Sequence, residues 1–313
     1  MFTVNETAFG WEEISAAAEA WGEWQPFVES VRQALACLDY AAAHRQSLPA
    51  HEFKAALTAF RYAHNLISAE DAQVWLRRWE LTTEAWMNCM RGQLWRAHWS
   101  GKLKDIVAAH PISDETLAAA LRSYALCADQ LNGWACKLAG RAAVAAQLGP
   151  FDADVTSPHE LLIRIEAAFA AQRAAALTAQ RVQASIADHR LDWVRFDCHS
   201  LWFADEAVAR EAAWCITEDG CTLDQVADSA HRTAQAQRFY LDELDPALRP
   251  FFLAARAGDL LGPLKMATGF PLYAIAAKQM PTADDPLIRQ RGEQMLLTQL
   301  MAQAVNERVT WLG

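Results

Sequence analysis

A mostly helical α+β protein is what this sequence predicts, and three observations carry the expectation. Ala makes up roughly a fifth of the 313 residues, far above ordinary usage. From Trp11 to about Gly149, apolar residues recur at helical spacing, and Pro or Gly falls mainly at joints such as Pro26, Pro49, Gly101, Pro111 and Gly149-Pro150. Beyond His189 the period shortens to two, and Gly and Pro begin to bracket short apolar runs. With 53% hydrophobic and 21% charged residues there is ample material for a core, which excludes a disordered chain and a small disulfide-stapled fold.

The elements follow in order. Ser68 with Asp71 three residues later is a capping arrangement, and Ser113-Asp114-Glu115 places a cap and first-turn acids before Leu117, Leu121 and Tyr124. Trp75, Trp79, Trp86, Trp95 and Trp99 fall on neighbouring faces of two consecutive helices. They either pack inside a bundle or line a partly open groove for an apolar peptide, and solvent exposure decides which. A further helical stretch starts at Ser157-Pro158-His159-Glu160 and runs through Leu161, Ile165 and Phe169 to about His189.

Leu191 to His199 then alternates as a half-buried strand. A helix spans Asp205 to Thr217, and Thr222 caps a short second one. A Pro-bounded region covers Leu241 to Phe252, and Gly258–Leu264 and Gly269–Ile275 are two short strands around a turn. The unit reads β-α-α-α-β-β. Thr282 to Pro286 begins a last helix, with Leu287, Gln290, Gln294, Leu297 and Met301 at helical spacing toward Trp311.

A net charge of -10 and no Lys/Arg run argue against nucleic acid, whose phosphates need clustered cations. The N-terminal residues lack a basic region followed by an apolar stretch, and no segment approaches about 18 uninterrupted apolar residues, so neither export nor a membrane partner is expected. Seven scattered cysteines fit reduced thiols in a cytoplasmic protein. No phosphate-binding glycine loop, nucleophile elbow or zinc-ligand spacing is present, and neither a cofactor nor a metal is expected.

Three local patterns resemble the parvulin (PpiC-type) peptidyl-prolyl isomerases. Asp197-Cys198-His199-Ser200-Leu201 followed by Asp205-Glu206-Ala207 looks like the family's opening strand and Ala-rich helix. Leu223-Asp224-Gln225-Val226-Ala227 resembles its second helix. Ala255 to Pro263 followed by Gly269-Phe270-Pro271-Leu272-Tyr273 is similar to its closing strands, and is the most specific of the three. The resemblance covers residues 191 to 280. It implies a helical chaperone-like domain over 1–190, in which Thr178 to His189 looks like the connector helix, a parvulin-like domain over 191–281, and a C-terminal helix over 282–313 returning to the helical domain. This layout is also similar to PpiC-related proteins described as peptide maturation system proteins, found with ribosomally made, modified peptides.

Carried over residue by residue, the resemblance places the family's first histidine at His199 and puts Pro271 where the second belongs. Proline has no N–H and no imidazole, so the His-His couple is broken. The glycine-rich rim is replaced by Thr233 to Tyr240, and only His231 and Arg232 lie near the family's Cys/Asp position. Leu244 and Leu248 approximate its apolar proline cup. His199 is open to three readings: a strand histidine bonded to neighbouring backbone, a retained ligand-binding group, or a catalytic one. Cys198 reads as a buried thiol instead of a nucleophile, because no base is placed beside it.

The resulting expectation is a non-catalytic peptide-binding protein derived from a parvulin. His199, Trp202, His231, Phe239, Tyr240, Leu244, Leu248, Phe270 and Tyr273 would contact the peptide, and His199 alone would carry any remaining catalysis. Its partners would be a precursor-peptide client and a modifying enzyme. An active isomerase-chaperone using His231, or a structural subunit of a modification complex, are the alternatives.

Overall fold

The computed structural model describes residues 1–151 and 157–312. Contacts divide the chain into two compact units, Met1–Gln172 with Met301–Gly313, and Arg173–Leu300. The fold is α+β and mostly helical, with two small antiparallel sheets. Among the described residues no helix is long and apolar enough to cross a membrane.

The first unit begins with a hairpin, β1 (Phe2–Val4) and β2 (Thr7–Phe9), whose turn uses Asn5 at φ 51. Asn tolerates that left-handed conformation better than most residues. Helices follow: α1 (Trp11–Ala20), α2 (Trp24–Ala43), α3 (Ala50–Ala63), α4 (Ala69–Arg78), α5 (Thr83–His98), α6 (Leu103–Ala109), α7 (Asp114–Cys127), α8 (Gln130–Ala145) and α9 (Pro158–Ala176). Ser68 and Asp71 form a reciprocal capping box at the start of α4, and Ser113 caps α7. Trp134 on α8 is 2% exposed, with Trp24 and Phe27 rings 5.8 and 5.1 Å away. A second centre gathers Cys37, Trp95 and Ile106, with Trp99 stacked on Trp95 at 4.2 Å. Gly92 lets α5 approach α2 and α7: a Cβ there would fall on the Tyr124 hydroxyl and lie 3.3 Å from the Ala34 carbonyl oxygen.

In the second unit, α10 (Ala179–Asp188), capped by Thr178, precedes β3 (Arg195–Phe203). Then come α11 (Glu206–Thr217), α12 (Leu223–Ser229), β4 (Gln235–Tyr240), α13 (Arg249–Ala254), β5 (Leu260–Leu261), β6 (Phe270–Gln279) and α14 (Pro286–Arg308). The sheet order is β4-β3-β6-β5, all antiparallel. Both faces are covered. On one, Leu201, Phe203 and Leu272 pack against Ala209, Ala212 and Ala213 of α11, and Leu223 and Ala227 of α12. On the other, Phe196, Cys198, Tyr273 and Ile275 pack against Leu248 and Phe252. Lys278 on β6 donates to the carbonyls of Leu253 at 2.5 Å and Ala255 at 3.0 Å, satisfying the C-terminal end of α13.

Four local expectations are corrected. The stretch from Pro158 to His189 is two helices, because Thr178 starts a new one after the break at Leu177. The strand begins at Arg195, and Trp193 precedes it, buried with Val182 and Ile186 of α10. Thr233 to Tyr240, given no element in the sequence reading, holds a strand: six of its residues form β4, so the unit reads β-α-α-β-α-β-β. Its edge position leaves most of it exposed, and so its sequence lacks an apolar alternation. Finally, α14 stops at Arg308, and β7 (Val309–Trp311) pairs with β1, giving the order β2-β1-β7. Three-residue strands carry too few positions for a period to show.

Candidate functional site

The residues singled out in the sheet unit do not converge as one set, and fall on different faces and clusters. β3 lies in the middle of its sheet, and its side chains alternate between faces. Phe196 and Cys198 point toward α13, whereas Leu201 and Phe203 point toward α11 and α12. His199 shares the second face, is exposed, and sits between Ala236 of β4 and Ala274 of β6. Pro271 pairs with Trp202, three positions along the ladder, on the opposite face. Three strand residues span about 10 Å. The position matched to the second histidine is therefore across the sheet from His199.

Phe239, Leu244, Leu248 and Tyr273 do come together, as part of the packed layer under α13. Tyr240 turns to a third cluster with Val182, Ile186, Trp193 and Ile288, where the Arg291 guanidinium lies 3.9 Å from its ring centroid. Phe270 packs on the α11 side. Trp202 is half-buried, and its carbonyl accepts a hydrogen bond from Arg232 at 2.7 Å. His231 is exposed, in a turn at φ 53.

The face under α13 carries instead two polar residues that sequence reasoning did not place there, Cys198 and Ser200. Ser200 is 0% exposed, pairs with Tyr273, and its hydroxyl has no partner among the described residues. Burial, with a smaller contribution from Asp197, pushes the Cys198 thiol up to about 11, and burial raises the Tyr273 phenol. All three groups are neutral at physiological pH. They hold neither the charge nor the base that a nucleophile needs. Phe252 at 0% and Leu248 at 7% exposure fill the space beside them with the chain's own side chains.

An open apolar site lies in the helical unit. A cleft of about 310 Å³ is lined by His64, Trp75, Trp79, Leu126, Trp311 and Leu312, with Arg78 and Asp129 among its polar residues. Helix α4 brings Trp75 to the cleft, and its C-cap is Trp79. Phe60 backs Trp75 edge-on at 5.5 Å. Trp311 and Leu312 remain 45% and 47% exposed. Strand β7 is an edge of its sheet, so one row of its backbone groups has no strand partner among the described residues, and its Trp311 lines this apolar wall. Of the five tryptophans read as packing or groove, Trp86 and Trp95 are buried, Trp99 stacks on Trp95, and Trp75 and Trp79 line the cleft. Burial lowers the pKa of His64 below its ordinary value, partly offset by Asp129.

Fold and site together define a class: an α+β chain with a helical unit that carries an aromatic cleft, and a small sheet unit whose inner faces are filled. No protein-family model and no curated protein matches the chain. Among solved structures it is similar to the peptidylprolyl isomerase PrsA from Bacillus anthracis, at 13% identity over 68% of this chain and 96% of that one, TM-score 0.28. It is also similar to PrsA from Bacillus subtilis, at 13% identity over 69% and 86%, TM-score 0.26. A third similar structure comes from a study of the SurA-like chaperones PEB4 and Cj1289 of Campylobacter jejuni, at 11% identity over 84% and 91%, TM-score 0.25. At these levels the likenesses assign neither a family nor an activity.

Proposed function

We propose that this chain is a non-catalytic peptide-binding protein of the chaperone kind, which holds an extended apolar segment of a client in the cleft of its helical unit. The observation that carries the reading is the pairing of an aromatic wall, Trp75, Trp79 and Trp311, with the open edge of β7. Large rings supply contact area at low entropic cost, and an open strand edge offers backbone hydrogen bonds to an extended peptide. The opposed faces of His199 and Pro271, and the filled layer under α13, support the absence of isomerase chemistry. Prolyl isomerisation needs a pocket that grips the proline ring away from water, and the packing of Phe252 and Leu248 against Cys198 and Tyr273 supports the reading that this face has no such pocket.

The client we propose is a precursor peptide awaiting modification by a separate enzyme, in the cytoplasm. The layout's resemblance to peptide maturation proteins supports the client, and seven unpaired cysteines support a reducing compartment. Two measurements test the reading. Titrating a labelled peptide of alternating Leu and Phe should quench Trp fluorescence, and Trp75→Ala with Trp79→Ala should weaken its binding by tenfold or more, about 1.4 kcal/mol. A cis/trans assay on a short proline peptide should show no acceleration. Robust turnover abolished by His199→Ala would overturn the non-catalytic part, and unchanged affinity in the double variant would overturn the cleft.

A further inference from the structure

A second and larger cleft in the helical unit, of about 550 Å³, has a different chemistry. It lies among α2, α5 and α7, with Pro26 and Phe27 as apolar wall and Gln93, Arg96 and Tyr124 as polar lining. Two of these polar groups are unsatisfied: the Gln93 Nε2 and the Tyr124 hydroxyl are buried and have no hydrogen-bond partner among the described residues. Tyr124 is 4% exposed. Leaving a buried donor unpaired forfeits its hydration with nothing in return, and such groups are rare in native proteins. Arg96 reaches only the Gln33 amide oxygen, at 3.5 Å, and forms no ion pair among the described residues. The one acid in the lining, Glu23, is already neutralised by Lys137 at 2.5 Å.

A cation with no acid beside it among the described residues and two unpaired polar groups, next to the apolar wall of Pro26 and Phe27, ask for a ligand that brings acceptor oxygens and an apolar group. We propose that this cleft binds a carboxylate attached to an apolar group, with Arg96 and Gln93 holding the carboxylate oxygens and Tyr124 as a further donor. A guanidinium fork matches a carboxylate in geometry and charge, and hydrogen bonds to a charged acceptor are about twice as strong as neutral ones. Burial keeps the Tyr124 phenol protonated, so it donates. The C-terminus of a peptide and a free carboxylic acid share this chemistry. The proposal stands apart from the Trp75 cleft and does not depend on it.

The test uses the whole 313-residue chain and four probes: N-acetyl-leucine, N-acetyl-leucinamide, and a Leu-ended pentapeptide with free or amidated C-terminus. Calorimetry or thermal shift should detect the two free carboxylates and find each amide bound at least tenfold more weakly. If the pentapeptide acid binds and N-acetyl-leucine does not, the source is a peptide terminus; if both bind, free acids suffice. Arg96→Gln should abolish the acid–amide difference, and Tyr124→Phe should reduce it. Equal binding of acid and amide in the wild-type protein, or no binding of either acid at about 10 mM, where a millimolar site would be largely filled, overturns the proposal. Because the acid–amide comparison is made on the unmodified chain, it decides even if a variant does not fold.

Discussion

Ser200 shows how a single side chain can be out of keeping with its surroundings. Its hydroxyl is fully buried and unpaired, so removing it discards an unmet desolvation cost and leaves only a small void. Ser200→Ala should leave the denaturant midpoint unchanged or raise it, by up to about 1 kcal/mol in stability; a clear loss would mean that the hydroxyl is bonded. Gly92 is the opposite case. Any Cβ there meets the Tyr124 hydroxyl, so Gly92→Ala should cost about 1–3 kcal/mol through overpacking, read as a lower urea midpoint. His64 links the Trp75 cleft to pH. Burial depresses its folded pKa below the 6.5 of the free side chain, so the unfolded chain binds the proton more readily. Its contribution is present above pH 6.5 and lost as pH falls through the folded value. The wild type should therefore lose more stability between pH 7.5 and pH 5 than His64→Gln does.

Helix α4 spans only ten residues, yet it positions Trp75 and ends at Trp79, and its capping box satisfies backbone groups that its length leaves open. Ser68→Ala should cost about 1 kcal/mol and weaken peptide binding at Trp75 with it, since fraying of α4 loosens one wall. Helicity by circular dichroism and peptide titration on the same variant check both effects. Strand β7 is a second such element. Asn5 donates to the Arg308 carbonyl and Leu312 to that of Met1, at 2.9 and 3.0 Å, which makes the Thr3–Thr310 pair a hydrogen-bonded one. Thr310→Pro removes that N–H, and should expose Phe2 and quench less in the peptide titration. An unchanged midpoint and unchanged peptide affinity would show that β7 contributes to neither stability nor binding.

At the scale of the whole molecule, the acidic charge and mostly helical α+β build were legible in the sequence, and so were the caps at Ser68, Ser113 and Thr222. Each of those helix starts is a contact between residues three positions apart, so the sequence by itself determines it. The β3 face assignment was not legible, because both faces of the central strand are covered, and the apolar residues from Phe196 to Phe203 fall on both of them, so the alternation does not say which layer His199 faces. Only pairing with β6, some seventy residues on in the chain by the register His199↔Ala274, decides that His199 and Pro271 face apart. Likewise nothing in the sequence spacing of the five clustered tryptophans separates them, but tertiary packing buries Trp86 and Trp95 and leaves Trp75 and Trp79 to line a cleft with Trp311. Local hydrogen bonds set where the elements start; which of their faces meet, and which stay open to a ligand, depends on partners far away in the chain.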